Sequence, residues 1–168
     1  MSNLHGLLTS GCPNVAGLER IYAAYGQRPD FVFEAVSSMR LSDPDVAWRA
    51  IWLVRRFARD QVVPEPALAR IAASVDEFSH WVARLALCQL FAETGCPSSL
   101  REAVFPFLCE AFADRRVIVR AWAISALMTF QSDPRYRSEI HALLRRARQD
   151  TGKSMQARLR RVALRQVS

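Results

Sequence analysis

The chain has 168 residues, 51% hydrophobic and 23% charged, which is the size of one domain and excludes an intrinsically disordered composition. No run approaches the ~18 apolar residues of a membrane span, and Met1 to Leu8 lacks the basic start and long apolar stretch of a signal peptide, so a cytoplasmic protein without membrane contact is expected. The net charge of +7 is uneven: residues 115–168 hold 13 cationic and three acidic side chains, whereas residues 1–114 hold 10 and 13.

In chain order, Val15 to Tyr25 reads as an N-terminal helix within residues 1–28. Asp30 to Arg40 is the first apolar helix of a repeating pair, and Ser42-Asp43-Pro44 opens the second, with Asp or Ser capping exposed N–H groups and Pro in the first turn. Pro64 and Pro66 open the helix Glu65 to Ser74. Trp81 to Cys88 forms the core of the next, which stops at Gly95-Cys96-Pro97. Ser99 and Glu102 have capping-box spacing ahead of Ser99 to Ala113, whose Leu100, Val104, Phe107, Leu108, Ala111 and Phe112 form one broad apolar stripe. Val117 to Ile124 follows, then the Ser132-Asp133-Pro134 start, Arg135 to Gln149, and a last helix around Met155 to Val162.

Four of these segments align on an arginine set among apolar residues: Arg49, Arg84, Arg120 and Arg158, spaced by 35, 36 and 38 residues. A near-constant period in this range marks stacked helical repeats, in which neighbours cover the apolar stripes that one helix pair leaves bare. The repeats run over about 30–60, 64–93, 98–131 and 134–166, within a single domain covering 1–168. An Asp followed six positions later by Arg, as in Asp43 with Arg49 and Asp114 with Arg120, resembles the HEAT-repeat signature. The resemblance spans about residues 30–165. It implies an all-α, right-handed α-α superhelix, a HEAT-like solenoid of about four helix pairs plus the N-terminal helix, with the second helix of each pair lining the concave face. It also implies a structural ladder through Asp43, Arg49, Asp114 and Arg120. The other two units depart from the signature, with Phe78 and Gly152 six positions before Arg84 and Arg158, and Asp76 or Asp150 is the nearby substitute.

Little in the sequence carries catalytic chemistry. Cys12, Cys88, Cys96 and Cys109 form no CxxC pair and have no histidine at metal-ligand spacing. His5, His80 and His141 belong to no triad, and Gly152-Lys153-Ser154 lacks the upstream glycine and strand of a phosphate loop. No cofactor or metal is expected. Trp48, Trp52, Trp81 and Trp122 all fall in second helices of pairs and read first as packing residues. The alkylation-repair glycosylases built from HEAT-like repeats are similar in joining helical repeats, basic faces and aromatics, but no carboxylate neighbours Trp122 in sequence.

The expected function is therefore a non-enzymatic binding module or adaptor for a protein partner with an acidic surface, contacted by Arg55, Arg56, Arg115, Arg116, Arg160, Arg161 and Arg165 as carboxylate forks. The alternative is nucleic acid, held through its phosphates by the same arginines. Head-to-tail self-association between the acidic and basic ends is a further expectation to test.

Overall fold

In the computed structural model of the chain, residues 4–10, 14–39 and 43–165 are described, apart from the side chains of Leu164 and Arg165. Four aspartates there organise helix starts by one short-range device. Asp43, Asp114, Asp133 and Asp150 each turn Oδ1 onto the backbone N–H two residues on, at 2.8, 2.8, 3.1 and 2.9 Å. Each carboxylate thereby satisfies a donor that the coming helix leaves bare. The helices that follow are α4 (Pro44–Asp60), α8 (Val117–Leu127), α9 (Pro134–Gln149) and α10 (Lys153–Arg165). The remainder are α1 (Leu4–Ser10), α2 (Val15–Tyr25), α3 (Phe31–Ser38), α5 (Glu65–Ala72), α6 (Trp81–Thr94) and α7 (Arg101–Phe112), with 3-10 turns at Val75–Glu77, Ser98–Leu100 and Met128–Phe130. The fold is all-helical, with no strand among the described residues. No helix is long and apolar enough to cross a membrane.

Local signals place most helix ends where the sequence puts them. Gly95 ends α6 in the left-handed region at φ 74°, the conformation for which glycine carries no Cβ penalty. By contrast, α7 starts at Arg101 after a 3-10 turn, so the N-cap position is Leu100 rather than Ser99. The Gly11-Cys12-Pro13 punctuation, Ser42 and Arg40 lie outside the described residues. One helix was not legible in advance: α1 has only seven residues, too few to be stable alone. It forms because Leu4 and Leu8 are buried against α3 and α4.

The chain divides into two compact units, Met1–Ala86 and Leu87–Ser168, where the sequence reading places one domain. In the first unit α3 packs on α4, α2 covers α4, and α5 joins α3. Its core gathers Leu18, Phe31, Ile51 and Leu53, all at most 1% exposed; a fully buried side chain of this kind contributes about 1.5–3 kcal/mol. Phe31 sits edge-on to Tyr22 at 5.7 Å and stacks with Phe57 at 6.3 Å.

In the second unit α7 and α10 both pack on α8, and α9 touches α8 and α10. Helix α8 allows this by burying Ala121, Ala123 and Ala126 along with Val119, Ile124 and Leu127, since small side chains let neighbouring helices come close. Phe130 anchors the turn after α8, with Tyr136 at 5.7 Å and Phe105 at 5.8 Å. The units also differ in charge: the first has nine cationic and nine acidic residues, the second 14 and seven.

Candidate functional site

The candidate site is a cavity of about 570 Å³ in the second unit, within the ~300–1,000 Å³ range of small-ligand pockets. Helical spacing builds its walls. Trp122 and Ser125 share one face of α8, and the 3-10 turn carries that face on to Met128 and Thr129. Arg158, Arg161 and Val162 stand at i, i+3 and i+4 on α10, while Ala92 and Glu93 come from the last turn of α6 and Gln131 from the loop after the 3-10 turn.

The polar groups are arranged with a bias. Ser125 Oγ donates to the Ala121 carbonyl at 3.1 Å and Thr129 Oγ1 to that of Ala126 at 2.7 Å. Each hydroxyl hydrogen is thus spent within the helix, and both oxygens keep lone pairs for an incoming donor. The Glu93 carboxylate adds acceptor capacity, while Arg158 and Arg161 supply donors from α10. The Arg158 guanidinium carbon lies 3.0 Å from the centroid of the Trp122 ring, so one indole face is engaged by a cation.

The predicted contact arginines separate into two groups. In the first unit Arg56 is a structural residue: it stacks over Tyr22 at 4.4 Å and bonds Glu19 at 3.1 Å and Asp60 at 2.8 Å. Tyr22 closes the cluster by donating to Asp60 at 2.9 Å. The Tyr22 hydroxyl and then Arg56 hold the Asp60 carboxyl below its ordinary range, while burial and then Asp60 push the Tyr22 phenol up. Arg55 is half-buried beside it on α4. In the second unit Arg115, Arg116, Arg160 and Arg161 are exposed. Arg116 stands 3.8 Å from Asp114, which offsets its charge at the start of α8. Among the described residues Arg115, Arg160 and Arg161 have no carboxylate at ion-pair distance, and Arg160 Nε reaches the Gln156 carbonyl at 3.3 Å. The Arg165 side chain lies outside the described residues.

The four ladder residues take other partners than each other's side chains. Arg49 Nη1 donates to the Leu8 carbonyl at 2.8 Å, closing the end of α1, while the Asp43 carboxylate serves the α4 start. Arg120 Nη1 meets the Asp114 backbone carbonyl at 2.9 Å, and its Nε and Nη2 reach Asp150 Oδ2 at 3.0 and 2.6 Å. Asp43 and Asp114 turn Oδ1 onto their own helix starts. Asp150 serves both ends, holding Gly152 N–H with one oxygen and Arg120 with the other. Asp133 repeats this arrangement, accepting from Arg101 Nη1 at 3.2 Å and Arg135 Nη2 at 2.8 Å; Arg135, then Arg101, hold its carboxyl well below the usual range.

Sequence reasoning missed Glu93, Ser125, Met128, Thr129 and Gln131. Ser125 and Thr129 stand three and seven residues after Trp122, a helical-face signal that was available. Glu93 lies 29 residues before Trp122, so only packing brings a carboxylate to that pocket. All four tryptophans are half-buried rather than core, with Trp48 Nε1 donating to Asp45 Oδ1 at 3.2 Å. No group of three or more His, Cys, Asp and Glu residues suited to a metal ion occurs among the described residues. Comparison of the chain with models of known families, with curated proteins and with solved structures returns no match.

Proposed function

We propose that the chain is a non-enzymatic binding module of HEAT-like helix pairs, continuing as a right-handed solenoid, that holds an acidic surface of a protein partner through its second unit. The observation that carries this reading is the exposure of Arg115, Arg160 and Arg161 without carboxylate partners among the described residues, in a unit with 14 cationic residues against seven acidic. Exposed guanidinium groups form bidentate pairs with incoming carboxylates, and surplus charge of one sign speeds the encounter. Arg56 is removed from the contact set because Glu19 and Asp60 already occupy it.

The test is binding of a labelled polyglutamate peptide by the full chain over a salt series, compared with Arg160→Glu/Arg161→Glu. The double variant should bind at least tenfold more weakly at low salt with unchanged circular dichroism. Equal affinity and equal salt dependence in the two proteins would sink the assignment. The nucleic-acid reading draws on the same exposed arginines and is separated by running single-stranded RNA and duplex DNA alongside. Preference for nucleic acid, with a steep salt slope set by the phosphates neutralised, would replace the acidic protein as the ligand.

A further inference from the structure

The basic surface explains attraction but not selection, and the cavity in the second unit has the chemistry to select. Its apolar walls include Trp122, Met128 and Val162, a set suited to an aromatic side chain, with the Met thioether able to lie at a ring edge. A purely aliphatic anchor fits less well. It would cover the Ser125 and Thr129 oxygens without offering them a hydrogen bond, which is costly for acceptors taken out of water. Because both hydroxyls already donate into their own helix, what they lack is a donor. Glu93 has several lone-pair sites and retains acceptor capacity whatever else it touches. On the α10 side the pocket carries the exposed Arg161, a cation suited to a carboxylate flanking the anchor.

Resting on the binding-module reading above, we infer that this cavity is an anchor pocket for one tyrosine of an acidic segment in the partner protein. The tyrosine ring enters against Trp122 and Met128, its hydroxyl donates to the acceptors at Glu93 and Thr129, and neighbouring carboxylates pair with Arg161. The occupant's chemistry follows from charge complementarity with a unit carrying twice as many cationic as acidic residues.

The experiment uses the full chain and fluorescein-labelled acidic heptapeptides that differ only at the central position: Tyr, Phe, Ala or Glu. The tyrosine peptide should bind at least tenfold more tightly than the alanine peptide and severalfold more tightly than the phenylalanine one. Glu93→Gln, an exposed position, should shrink the Tyr-to-Phe difference. Ser125→Leu, which fills the cavity, should abolish the preference for the tyrosine over the alanine peptide. Arg161→Glu should weaken every peptide. If Tyr and Ala peptides bind alike while Arg161→Glu weakens both, the anchor pocket is wrong and the basic-surface reading stands. If no peptide binds the folded parent protein, the surface reading falls and takes the pocket with it.

Discussion

Replacing Asp150 by alanine tests the polar link between α8 and the turn before α10. The substitution removes three hydrogen bonds: from Arg120 Nε at 3.0 Å, from Arg120 Nη2 at 2.6 Å and from Gly152 N–H at 2.9 Å. The Arg120 and Asp150 side chains are 25% and 18% exposed, so the pair is largely but not wholly withdrawn from water. Hydrogen bonds to charged groups contribute about 1.5–3 kcal/mol each, and residual solvation discounts the sum. Arg120 also keeps the Asp114 and Arg115 carbonyls at 2.9 and 3.0 Å as acceptors for Nη1. The net cost should be about 3 kcal/mol, or roughly 6–12 °C in Tm for a chain of this length.

The same contacts set the pH dependence. Hydrogen bonding from Arg120, then from the Gly152 N–H, holds the Asp150 carboxyl below its ordinary value. A depressed folded-state pKa gives stability that is fully present above the unfolded value of about 3.9 and is lost as pH falls through the folded one. The gap between parent and Asp150→Ala should therefore be full at neutral pH and narrow once the pH drops below about 4. Urea denaturation followed by far-ultraviolet circular dichroism, with Arg120→Met completing a double-mutant cycle, measures both the cost and the coupling. A cost under about 0.5 kcal/mol at neutral pH, or a coupling near zero, would refute the argument, since hydrogen bonds to charged groups are expected to exceed that.

Gly152→Ala should destabilise by about 1–3 kcal/mol in the same assay, because a Cβ there would collide with Val117 Cγ2 and stand 2.9 Å from Asp150 Oδ1. Gly95→Ala meets open space but keeps φ at 74°, so only the left-handed penalty of about 1–2 kcal/mol applies. Arg56→Met should cost about 1 kcal/mol through the lost stack on Tyr22 while leaving polyglutamate binding unchanged; a fall in binding would return Arg56 to the contact set. Burial pushes the Cys96 thiol up to about 11, and burial together with Glu139 pushes Cys109 up to about 12. Both should label slowly with iodoacetamide near neutral pH and faster as pH rises, read site by site by mass spectrometry.

The sequence by itself determined the helical class and most helix boundaries, because those depend on interactions a few residues long. Val15–Tyr25 forms one helix as its pattern requires. Asp43 and Asp133 open α4 and α9 because a carboxylate reaches an N–H two residues on whatever the rest of the chain does. Side-chain partners at long range were decided only by tertiary structure. Arg120 has a nearby aspartate six positions back, yet its carboxylate comes from Asp150, 30 residues on, and only the backbone carbonyl of Asp114 reaches it. Arg56 reads as a surface cation in sequence and becomes structural once α2 sets Tyr22 and Glu19 beside α4. The pocket shows the same division. Helical spacing alone gathers Trp122, Ser125 and Thr129, but Glu93 of α6 and Arg161 of α10 reach the same cavity only through tertiary structure.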